Sequence, residues 1–267
     1  MRVMLNYLKM DMYRAFVNSK FIFTVIVIAF LPFLACAEKQ GYSFVNVFSS
    51  NSIFEYFNEV TFWSQIGILI FIIISFVYAD CICDDLSQGN YIYSITRGNI
   101  NGYVMSKIVC VFINSIVTFI TGMLLFAGVS YVLFGFQWEV VGGEINNQYR
   151  TFSGMLENKN YLIFFLCSVG IKSILYGITS LSSLLMSLYI KNKLLIMCVP
   201  VLLITVGSYS LEYILPNYSG YKYVYSVDFF NMKDTSEAII MLGLITIVIV
   251  GIITMLIIRR MRRIVVG

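Results

Sequence analysis

Few side chains here could do chemistry, and their positions limit what that chemistry could be. Histidine is absent, which removes the commonest metal ligand and the commonest general base together. Asp80, Asp84 and Asp85 crowd one short polar stretch, beside Cys81 and Cys83. A Cys-x-Cys pair with no second ligand pair makes a poor metal site. Lys172 stands inside a long apolar run, where an ionisable residue is a functional candidate by default. No paired acids or activated nucleophile accompany it, so an intramembrane enzyme is a minor reading. No G-x-x-x-x-G-K-S/T loop occurs, so the chain does not bind ATP by that route. No catalytic, cofactor-binding or metal residue is assigned, and nothing points to nucleic acid.

The elements that must position these residues are set by hydropathy. Of 267 residues, 59% are hydrophobic and 12% charged, and the mean hydropathy is +0.84. A soluble domain carries about a quarter charged residues. Here the charges gather between long apolar runs, as lipid requires. Six runs approach the ~20 residues that cross a hydrocarbon core: 21–37, 62–79, 108–133, 161–190, 194–211 and 238–258. The expected fold is all-α: one polytopic transmembrane domain over residues 1–267, with six spans. Residues 1–20 precede the first. Met4, Leu5, Leu8, Met12 and Phe16 recur at helical spacing, opposite Arg2, Asn6 and Lys9, which predicts an amphipathic interfacial (elbow) helix. That stretch is too long for the n-region of a signal peptide, so the first run is read as an uncleaved span.

Lysine and arginine orient the spans. With the N-terminus inside, inner segments carry twelve and outer loops five: Lys39, Arg150, Lys159, Lys222 and Lys233. Both termini are then cytoplasmic. The six cysteines fall mostly in apolar runs or inner loops, so a disulfide framework is not expected. The last outer loop is crowded with aromatics, including Tyr218, Tyr221, Tyr223, Tyr225, Phe229 and Phe230, as an interfacial belt would be. Asn217-Tyr218-Ser219 also matches a glycosylation sequon, as chance would allow.

The fourth run is long. Lys172 lies 18 residues from Ile190, or ~27 Å along a helix, so it is expected to snorkel toward the outer boundary or to line a cavity. An ion or substrate role is the alternative. Gly170, Ser173, Gly177, Ser180, Ser183 and Ser187 form a small-residue seam on the same run, suited to close packing of another helix, from this chain or from a second copy.

Residues 80–107 form an inner loop long enough for a small helix across the cytoplasmic face, one that would present Asp84, Asp85 and Arg97 to a partner. With the entry stretch MLNYLKMDMYRAFVNSKFIF and the loop DDLSQGNYIYSITRGNINGYVMSKI, the whole chain resembles the permease subunit of ABC-2 type transporters. The resemblance implies a half-transporter in a bacterial cell membrane. It would pair with an identical or similar permease and dock two cytoplasmic ATP-binding subunits, which alone hold ATP and Mg. It also implies that 80–107 is the coupling loop, with Asp84, Asp85, Gly89, Arg97, Gly98 and Lys107 as the contacts matched to it. Thr96 and Tyr103 match it too. Such permeases export peptides, bacteriocins or drugs, or confer immunity to them. Lys172, Gly170, Ser173, Gly177 and Ser180 would serve the pathway or the packing. An ATPase-independent carrier or channel is the main alternative, but no internal repeat supports it.

Overall fold

The computed structural model describes residues 2–39, 52–96, 99–138, 155, 158–214 and 235–266. The order of elements begins with α1 (Arg2–Phe16) and α2 (Ser19–Lys39), then α3 (Ile53–Asn58), a π turn (Glu59–Trp63) and a 3-10 turn (Gln65–Ile68). It continues through α4 (Leu69–Phe76), α5 (Cys81–Gln88), α6 (Asn90–Thr96), α7 (Ile100–Phe134), α8 (Tyr161–Met186), α9 (Lys193–Ile214) and α10 (Thr235–Val266). Among the described residues there is no strand, only one isolated bridge between Ser52 and Gln137.

Among the described residues, five helical segments are long and apolar enough to cross a membrane: Ser19–Glu38, Gln65–Gln88, Ile100–Phe134, Tyr161–Met186 and Gly243–Val265. A shorter apolar stretch, Lys193–Gly207, lies in α9. The protein is therefore an all-helical, multi-pass membrane protein.

The helices depart from the hydropathy runs where polar residues remain helical. α7 begins at Ile100 rather than at residue 108, because Asn99 caps it, accepting a hydrogen bond from Asn101 N at 3.1 Å. α10 carries Arg259, Arg260, Arg262 and Arg263 within the helix, where basic residues suit its C-terminal end. α8 ends at Met186, shortening the over-long fourth run. The second run is not one plain helix. It enters through the π and 3-10 turns and is broken again between α4 and α5. The α3 and π segment was not expected from hydropathy. It buries Ile53, Phe54, Tyr56, Phe57 and Val60 among Phe126, Phe136, Phe164 and Phe165.

α1 and α2 are separate because Asn18 turns the chain. Its side-chain oxygen accepts a hydrogen bond from Lys20 N at 3.1 Å and starts the second helix. α2 then packs closely on α7 at Gly122, where a Cβ would lie 2.5 Å from Ile28 Cγ2. At the opposite end of the bundle from the aromatic core, α1, α7 and α10 meet. Arg262 donates a hydrogen bond to Asn101 Oδ1 at 3.2 Å, so both chain ends reach the same, basic end.

Candidate functional site

The basic end is held by charge as well as by packing. Tyr103 and Lys107 stand one turn apart on α7 and so share a face. Asp11 stands on the face of α1 that packs on α7, between half-buried Leu8 and Met12 and beside Ala15, which is buried. α5 supplies Asp85, and Tyr78 comes from the turn before it.

These residues form one buried network. Lys107 Nζ lies 2.7 Å from Asp11 Oδ1 and 2.9 Å from Asp85 Oδ2. Tyr78 donates to Asp11 Oδ1 at 2.9 Å, and Ser106 to Asp11 Oδ2 at 2.8 Å. Tyr103 donates to Asp85 Oδ2 at 2.6 Å. The ammonium also lies 5.5 Å from the centre of each of the Tyr78 and Tyr103 rings, within cation–π range. Lys107 and Asp11 are each 1% exposed. Burying ions costs several kcal/mol each unless they are paired and hydrogen-bonded, and here both conditions are met. The network is a fixed joint between α1, α5 and α7.

A second, looser ionic group lies at the start of α5. Lys193 sits 2.5 Å from Asp84 and 3.8 Å from Asp80, and Lys20 sits 3.6 Å from Asp80. This pair is half-exposed and worth little in stability, but it ties the starts of α2 and α9 to α5.

A cavity of ≈ 230 Å³ opens beside the buried network. Asp11, Asp85, Lys107 and Tyr103 form its inner lining; Tyr7, Met10 and Arg14 of α1 and Asn90 and Tyr93 of α6 complete it.

The matched contacts of the coupling loop separate here. Asp85 and Lys107 are buried and face each other rather than a partner. Asp84 is partly exposed and already paired. Gly89 takes φ +72° and reverses the chain between α5 and α6, a conformation glycine adopts freely. No heavy atom lies within 4 Å of its missing Cβ. Gly89→Ala should therefore cost only the backbone strain, about 1 kcal/mol, readable as a small shift in the unfolding midpoint. Arg97, Gly98 and the aromatic final outer loop lie outside the described residues.

Lys172 does not snorkel. It is 3% exposed and near the middle of α8, one turn from Tyr176, which packs on Phe71 and Phe119. The small-residue seam serves packing within the chain. A Cβ on Gly177 would meet Phe112 of α7 at 2.9 Å. Ser180 shares a 2.7 Å hydrogen bond with Ser115 of α7, and Ser183 one of 3.4 Å with Ser75 of α4. Ser173 donates to Gly170 O at 2.6 Å, while Gly170 itself borders open space.

Sequence reasoning missed Asp11, Tyr78 and Ser106 as members of the network. One signal was available: an aspartate between Leu8 and Met12 on the packing face of an amphipathic helix needs a buried cation. Comparison with protein-family models, with curated proteins and with solved structures returns no match to this chain.

Proposed function

We propose that this chain is the membrane-spanning subunit of an ATP-driven transporter whose ATPase is a separate chain. The observation that carries this reading is the buried joint of Asp11, Asp85 and Lys107. A push delivered to α5 and α6 would pass through it to α1 and α7, and so to the spans. Outside the joint, α6 leaves Ile92 51% and Tyr93 69% exposed. In this reading Ile92 sits at the centre of the contact with the ATP-binding subunit.

An even number of crossings brings both chain ends to one side, which supports α9 as a sixth span. The excess of lysine and arginine at that side makes it cytoplasmic, in a bacterial cell membrane. There the chain would pair with an identical or similar permease and dock two ATP-binding subunits. The cargo class is an amphipathic peptide, bacteriocin or drug-like molecule moved outward by alternating access.

Co-expression with the ATPase encoded beside it tests this. The ATPase should co-purify with the wild type. Its recovery should fall about tenfold with Ile92→Glu, the loss expected when a charge enters an interface centre. Equal recovery with both forms, or none with either, contradicts the reading.

A further inference from the structure

The cavity beside the buried joint has features that the joint does not use. Asp85 is held through Oδ2 by Lys107 and Tyr103. Its Oδ1 has no hydrogen-bond partner among the described residues, although the side chain is 10% exposed and lines the cavity. Two carboxylates against one ammonium leave this inner lining one formal negative charge in excess. Tyr93 and Tyr103 add aromatic faces, which attract cations. At the rim stands exposed Arg14, with no ion pair among the described residues. The cavity therefore presents a negative, aromatic interior and a positive edge.

Depth decides what would enter it. α7 has 35 residues and is ~52 Å long, against a hydrocarbon core of ~30 Å. A symmetric overhang of ~11 Å at each end puts the core boundary about seven residues into the helix, at Lys107. The cavity thus opens at headgroup depth. Met10 of α1, which lines it, is 41% exposed, a surface for the upper part of an acyl chain.

We propose that this cavity binds the headgroup of a zwitterionic phospholipid, phosphatidylethanolamine. The primary ammonium donates to Asp85 Oδ1 between the tyrosine rings, and the phosphate pairs with Arg14. Phosphatidylcholine has no N–H to donate, and phosphatidylglycerol has no cation. The proposal depends only on membrane insertion. It is independent of the transport reading, since no ATPase is needed to test it.

The full chain is purified in detergent and exchanged into nanodiscs holding equal amounts of phosphatidylethanolamine, phosphatidylcholine and phosphatidylglycerol with the same acyl chains. Retained lipid is counted by native mass spectrometry. Phosphatidylethanolamine should be retained about tenfold over phosphatidylglycerol, equivalent to about 1.4 kcal/mol. Arg14→Gln and Tyr93→Ala should each remove most of that preference. Both positions are exposed, so neither change disturbs the fold, and unchanged unfolding midpoints will check this. Equal retention of the three lipids overturns the proposal, as does a preference that survives both changes. Soluble glycerophosphoethanolamine separates the sources. Weak competition supports the lipid, whereas binding as tight as that of the lipid overturns it in favour of a free zwitterion.

Discussion

Lys107→Met should cost about 3–5 kcal/mol of folding stability, because it leaves Asp11 and Asp85 buried without their shared cation. Both carboxylates lie within 3 Å of the ammonium, and methionine fills a similar volume without supplying charge or hydrogen bonds. The change should lower the unfolding midpoint in detergent sharply and reduce the yield of monodisperse protein. A triple variant, Lys107→Met with Asp11→Asn and Asp85→Asn, removes all three charges. It should recover much of the loss, since deleting a whole buried ionic group is far less costly than deleting one partner. A Lys107→Met protein as stable as the wild type would contradict the network. Recovery by the triple variant would show that the cost was charge and not packing.

Gly122→Leu should be nearly as damaging, at about 3 kcal/mol, for a different reason. Even a Cβ there would lie 2.5 Å from Ile28 Cγ2 and 3.3 Å from Val25 O. Ile28 Cβ is only 2.8 Å away and does not move when the side chain rotates, so α2 must shift slightly even for an alanine, and a leucine would press on its backbone as well. The two spans must then separate, and membrane helices associate largely through such close contact. Gly122→Ala should cost less, about 1–2 kcal/mol. The two unfolding midpoints compared with wild type check this. A leucine variant no worse than the alanine variant would mean that α2 and α7 are not closely packed.

Both predictions concern features that the sequence made visible to different degrees. Apolar runs located the long helices though not their ends, because lipid imposes length and composition strongly. Helix ends were less visible. Asn99 starts α7 well before its apolar stretch, and the arginines of α10 continue the helix beyond its own. The π turn and the α3 segment were not visible, because a short apolar helix has no length signal. The site was half legible. Asp85 and Lys107 stood out by their place in the chain, but only the fold shows that they turn inward. Asp11 lies 96 residues from Lys107, and no local pattern joins residues so far apart. Lys172 was legible as a charge within an apolar run, but its burial depends on neighbouring helices, which spacing on one helix does not report.

In the proposed mechanism a separate ATPase grips the α5–α6 face and drives the spans through the buried joint. A photo-crosslinking side chain placed at Gln88, which is exposed at the end of α5, tests it in native membranes. A matched probe at Phe23, 62% exposed on α2 and away from α5 and α6 in the chain, is the control. The account predicts that the probe at position 88 captures an ATP-binding protein that a nucleotide analogue also labels, while the probe at position 23 captures only lipid. Capture of only lipid at both positions would contradict it.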